Sequence, residues 1–106
     1  MFVYLIQSRE TGLYKIGVGK NPKKRLAQLQ TGNGGELRLI DQYQSNDYAF
    51  KIERTLHRHN IHDRKEGEWF DLCQSYEAKF IKNCKIIEDG FIAIDQSKSN
   101  ETTLLC

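Results

Sequence analysis

"FVYLIQSRETGLYKIGVGKNPKKRLAQLQTGN", residues 2–33, decides the fold. Two short runs rich in aromatic and β-branched residues, from Phe2 to Gln7 and from Leu13 to Val18, flank a polar connection that ends in glycine, the pattern of an antiparallel hairpin. Read as a five-residue connection from Ser8 to Gly12, the turn pairs Tyr4 with Ile16 and Ile6 with Tyr14. Both tyrosines then share one face, as diagonal neighbours about 7 Å apart between backbones. Asn21-Pro22 starts a helix, with Asn as the cap and Pro at the first helical position, where its missing N–H costs nothing. The helix is expected to run to about Gln30 and to stop at "TGNGG". Leu26 and Leu29 should face the sheet, with Lys23, Lys24 and Arg25 on or beside the solvent side. So short a helix does not hold by itself, and packing must fix it.

Outward from this stretch, "ELRLIDQYQ" (36–44) alternates apolar and polar residues and reads as a third strand. A second helix follows Asn46 or Asp47, with Ala49, Ile52 and Leu56 as its inner stripe and Glu53 and His57 on one flank. "GEWFDL" (67–72) is an aromatic segment suited to closing the core, and "SYEAKFIKNCKII" (75–87) reads as a third, amphipathic helix capped by Ser75. "GFIAID" (90–95) has the composition of a last short strand. The expectation is a small α+β domain over residues 1–95, ordered β-β-α-β-α-α, with an antiparallel three-stranded sheet flanked by helices. Residues 96–106 read as a flexible polar tail.

The totals restrict the classes of function. The net charge is only +2, but residues 1–65 hold twelve Lys or Arg against six acids, while residues 66–106 hold four against eight. The basic part is the face on which an anionic partner such as nucleic acid would sit. No apolar run approaches the roughly 18 residues of a membrane helix, and the N-terminus lacks the pattern of a signal peptide, so a cytoplasmic protein without membrane contact is expected. Cys73, Cys84 and Cys106 are odd in number and lack C-x-x-C spacing, which indicates neither a disulfide framework nor a cysteine zinc site. "HRHNIH" brings His57, His59 and His62 close in sequence, but H-x-H-x-x-H at a helix end does not aim three rings at one point.

Tyr4, the run Tyr14-Lys15-Ile16-Gly17, Arg25 and Glu53, in that order and spacing, resemble the GIY-YIG nuclease superfamily. "VYL" (3–5) stands where that family writes its first triplet, and Tyr14 with "KIG" stands at the second. Arg25 follows in the first helix, and Glu53 occupies the place of the metal-binding glutamate. The pattern covers roughly residues 3–72, and "E-x-x-L-H" followed by "GEWF" is similar to the small stand-alone branch. Phe2 and Val3 replace the family's glycine and isoleucine, Leu29 stands where many members carry a histidine, and Asn60 is the nearest candidate for the family's asparagine.

The resemblance implies hydrolysis of DNA phosphodiesters by a water nucleophile with one Mg²⁺ or Mn²⁺. The residue types suit that chemistry. An attacking water must lose a proton, and a tyrosine accepts it only if neighbouring cations pull its pKa down from about 10. Tyr4 and Tyr14 are the candidates. Arg25 is shaped to hold the oxygens of the pentacovalent phosphate, Glu53 is a hard ligand for the metal, and His57, one turn on, can orient water or phosphate. Lys15, Lys20, Lys23, Lys24, Arg54 and Arg58 would contact nucleic acid, and a homodimer would let two sites cut both strands. The residues leave a second reading open, a module that keeps this fold and binds nucleic acid or a protein without turnover.

Overall fold

The computed structural model describes residues 1–65 and 67–105, the last seven of these for their backbone only. Its elements are β1 (Phe2–Ser8), β2 (Tyr14–Gly19), α1 (Pro22–Thr31), β3 (Leu37–Gln44), α2 (Ala49–His59), β4 (Trp69–Phe70) and α3 (Tyr76–Leu105), with a 3-10 turn at Ile61–Asp63 after α2. The sheet is antiparallel and four-stranded, ordered β3-β1-β2-β4, one strand more than expected. The extra strand is Trp69–Phe70, which adds to the outer edge of β2 through Lys15↔Trp69 and Tyr14↔Phe70.

The hairpin register differs from the expected one by a single residue. Gly12 adopts φ +76°, a conformation glycine enters without steric cost, and its N–H donates to Ser8 O at 2.8 Å. Ser8 N–H then donates to Leu13 O at 2.9 Å, so Ser8, read as part of the connection, extends β1 instead. Tyr4 therefore lies across from Gly17, and Tyr14 across from Gln7. A one-residue slip moves every side chain to the other face, and the two tyrosines lie on opposite faces.

Each face has its own core. Val3, Leu5, Tyr14 and Ile16 pack with Ala49, Ile52 and Leu56 of α2 and with Phe80 and Cys84 of α3. Tyr4, Ile6 and Leu37 pack on the opposite face with Leu26 and Leu29 of α1, Leu39 and Trp69. A bulge lets β3 serve both: Ile6 pairs with Leu39 but Leu5 with Asp41. The extra residue inverts the alternation, so Leu39 joins the α1 side while Ile40 and Tyr43 join the other.

α1 begins as expected. Asn21 caps it, its side-chain oxygen accepting from Lys24 N–H at 3.1 Å, with Pro22 in the first turn. The C-terminal part does not follow expectation. "GFIAID" lies inside α3 instead of forming a strand, and the stretch 96–105 continues the same helix; Cys106 lies outside the described residues. Tyr76, Phe80, Cys84, Ile87 and Phe91 recur at helical spacing, and the Phe91 ring stacks on Tyr48 with centroids 6.0 Å apart. That contact, together with the hydrogen bond from Tyr48 Oη to Asp95 at 2.5 Å, offsets the roughly 1 kcal/mol that Gly90 costs a helix. No helix among the described residues is long and apolar enough to cross a membrane.

Candidate functional site

Tyr4 lies over Gly17. A Cβ built on that glycine would stand 2.4 Å from the phenol ring and its oxygen, so the ring occupies the space a side chain would fill. The phenol oxygen makes no hydrogen bond to a described residue, yet no buried side-chain polar atom is left unsatisfied. The hydroxyl therefore reaches solvent.

Lys15 projects on the same face, two residues from Gly17. Its side chain is 11% exposed, and Nζ donates to Glu68 Oε2 at 2.6 Å, with the Trp69 ring 5.9 Å away. The Lys15 hydrogen bond and charge hold the Glu68 carboxyl below the usual carboxylate range against the opposing effect of burial, and His57 and Arg25 reinforce them. Arg25, on the exposed side of α1, thus lies within electrostatic reach of the same carboxylate. Lys20, Asn21, Lys24 and Arg25 line an open groove of about 380 Å³ between the end of β2 and the start of α1.

α2 runs beside the outer edge of β2, which β4 pairs only at residues 14 and 15. At the next position His57 Nε2 donates to Ile16 O at 2.7 Å, and its ring meets Phe70 edge-on at 5.0 Å. This fixes the donating nitrogen and leaves Nδ1 as the acceptor of the neutral ring. Glu53 makes neither a salt bridge nor a hydrogen bond with any described residue. Burial holds its carboxyl above the usual range, helped by Glu68 and opposed by His57, Lys15 and Arg54. A half-buried oxygen donor that makes no direct ion pair with a described residue, beside a second carboxylate, suits a hard divalent cation that keeps most of its waters. No group of three or more His, Cys, Asp or Glu among the described residues is placed to hold a metal ion.

Charge effects thus link Lys15, Arg25, Glu53, Glu68 and His57 at the β2 edge, Tyr4 lies over Gly17 on the face that carries Lys15, and Tyr14 is left out. Tyr14 Oη donates to Glu77 Oε2 at 2.5 Å and accepts from Gln7 at 3.3 Å. Burial first, then the Glu77 hydrogen bond and charge, push its pKa up to about 12, opposite to the shift a proton acceptor requires. The expected lowering by cations fails because the register turns Tyr14 toward α3.

The basic residues divide. Lys20 and Lys24 line the groove, Lys23 is exposed on α1, and Arg54 acts on Glu53. Arg58 lies in a separate hollow with Ile86 and Phe91, between α2 and α3. Asn60 is occupied at the end of α2, donating to Leu56 O at 2.8 Å and Tyr76 Oη at 3.4 Å. Glu68 was not singled out in the sequence. The available signal was Lys15 itself, since an ammonium in mid-strand needs a counter-ion.

The arrangement defines a small α+β domain with a cluster of cations and carboxylates beside a partly open sheet edge. The T5orf172 domain model matches residues 1–88, and the chain belongs to the T5orf172 domain family. That domain is associated with nuclease and DNA-binding activity, in keeping with a protein that acts on nucleic acid. Compared with curated proteins and with solved structures, the chain matches none.

Proposed function

We propose that the chain is a GIY-YIG-type endonuclease that hydrolyses DNA phosphodiesters with a water nucleophile and one Mg²⁺ or Mn²⁺. The observation that carries the reading is the convergence at the β2 edge of Lys15, Arg25 and a Glu53 carboxylate that no described residue pairs or hydrogen-bonds, from three separate elements, with the Tyr4 phenol on the face that carries Lys15. Tyr4 Oη and His57 Nδ1 are the acceptors available to orient the attacking water and take its proton. Arg25 and Lys15 are the donors for the phosphate oxygens as charge builds in the transition state; loss of one such contact typically slows a reaction by about 10² or more. Glu53 would hold the metal, whose chemistry is to neutralise the leaving oxygen. Lys20, Lys23, Lys24 and Arg54 would track the phosphate backbone.

The test is incubation of plasmid with wild type and Glu53→Ala, each with Mg²⁺ and with EDTA. Nicking is expected from wild type with metal and from no other combination. Equal DNA binding by both proteins with cleavage by neither would replace this reading with the non-catalytic module. Lys15 on the face of Tyr4, where the twin-tyrosine pattern calls for a second phenol, and Leu29 in place of the helix histidine favour that second reading.

A further inference from the structure

Lys15 is enclosed, and an enclosed ammonium needs a fixed partner. Its partner and its packing surface are consecutive residues, Glu68 and Trp69, and the structure brings them in by an economical device. β4 makes just two residue pairs with β2, at Tyr14 and Lys15. Where β4 ends, the β2 edge opens and His57 takes the Ile16 carbonyl. The added strand therefore stops where His57 takes over the edge, having set a carboxylate and an indole against one ammonium.

The donor count matters next. An ammonium has three N–H donors, and Lys15 gives one to Glu68 Oε2 at 2.6 Å and none to any other described residue. Two remain for oxygens of an incoming group. The side chains are unequal in exposure, Lys15 at 11% and Glu68 at 55%, so the carboxylate holds the ammonium from the solvent side.

We propose that Glu68 is a positioning residue of the nuclease site, holding the Lys15 ammonium, against Trp69, where its two free donors meet a phosphodiester oxygen. This rests on the nuclease reading above. Glu68 acts through Lys15 and touches no reacting atom.

The experiment compares wild type, Glu68→Gln, Glu68→Asp, Lys15→Met and the double variant Lys15→Met/Glu68→Gln, with Glu36→Gln, which breaks the exposed Arg9 pair, as the unaffected control. Glu68→Gln should lower kcat about 10-fold with KM within twofold, and Glu68→Asp, which keeps the charge, should recover part of the loss. Lys15→Met should lose more, and the double variant should be no slower than Lys15→Met alone, because the two changes act as one. An unchanged kcat in Glu68→Gln would overturn the proposal. So would losses that multiply in the double variant, or a Glu68→Gln protein that binds tighter and cuts faster, the mark of a carboxylate that competes with phosphate. A second readout does not depend on cleavage. Trp69 is the chain's single tryptophan, so its emission reports this corner when duplex DNA is titrated in EDTA. The duplex-induced change should shrink in Glu68→Gln and in Lys15→Met. If wild type binds without cutting under any metal, the nuclease reading fails while the emission series still decides the role of Glu68: a change equal to wild type in Glu68→Gln overturns it. Neither binding nor cleavage by wild type would overturn both.

Discussion

Among single residues, the sharpest contrast is between the two hairpin tyrosines. Tyr4→Phe should remove a solvent-reaching hydroxyl, lowering cleavage by about 10²-fold with little change in Tm. Tyr14→Phe should do the reverse: the bonds to Glu77 and Gln7 disappear, stability falls by about 1 kcal/mol, and cleavage persists. Thermal melts and nicking assays on both proteins would check this, and loss of activity in Tyr14→Phe alone would reverse the assignment. Gly17→Ala should displace the Tyr4 ring, since the new methyl would stand 2.4 Å from it; the ring end can move, so activity should suffer more than folding. Glu53 carries a pH signature. Burial raises its pKa in the folded state, so its protonation favours folding. That contribution is present below the ordinary carboxylate pKa of about 4.3 and is lost as pH rises through the raised value. At pH 7 the carboxylate is a net cost, and Glu53→Gln should melt higher than wild type there, with the gap closing on acidification below about pH 4. Mg²⁺ should raise the Tm of wild type and leave that of Glu53→Gln unchanged.

Elements transmit their stability to the site in different degrees. α1 hangs on its cap, and removing an Asn cap typically costs about 1 kcal/mol. Because α1 also carries Arg25 and Lys24, Asn21→Ala should lower kcat/KM at temperatures well below the melt, where the folded fraction is still complete. An activity loss that only tracks the folded fraction would show that fraying of the first turn does not reach Arg25. The same helix was legible in the sequence because Asn-Pro specifies its start by local chemistry, as did the apolar alternation for β1, β2 and β3. What was not legible depends on contacts distant in sequence or on one backbone choice. Ser8 could belong to the connection or extend β1, and only the closed hairpin decides that it extends the strand, which moves Tyr14 off the face of Tyr4. β4 makes two ladder pairs, too few to mark in any periodicity. "GFIAID" has strand composition, but Phe91 against Tyr48 keeps it helical. In the candidate site, the four-residue spacing of Glu53 and His57 marks one flank of α2, whereas Glu68 leaves no local mark because its partner Lys15 is 53 residues away.

At the scale of the whole molecule, the charge asymmetry of the sequence becomes a directional surface. Lys20, Lys24 and Arg25 line one groove between β2 and α1, with Lys15 and Arg54 acting on Glu53. Arg58 follows Glu53 by five positions, roughly 140° around α2 at 3.6 residues per turn, and lies instead against Ile86 and Phe91 of α3. If a duplex lies along the groove, each phosphate contact releases counterions, and log K falls with log salt by about 0.9 for each contact. Duplex binding measured in EDTA across a salt series should therefore separate residues of identical charge by their position. Lys20→Gln/Lys24→Gln should flatten the slope by nearly 2, at about 0.9 per lost contact, while Arg58→Gln should leave it parallel to wild type. A flatter slope for Arg58→Gln with no effect of the lysine pair would put the duplex on the α2–α3 side, away from Tyr4 and Glu53. Cleavage at the cluster around Lys15 and Glu53 would then be geometrically excluded, however well the protein binds.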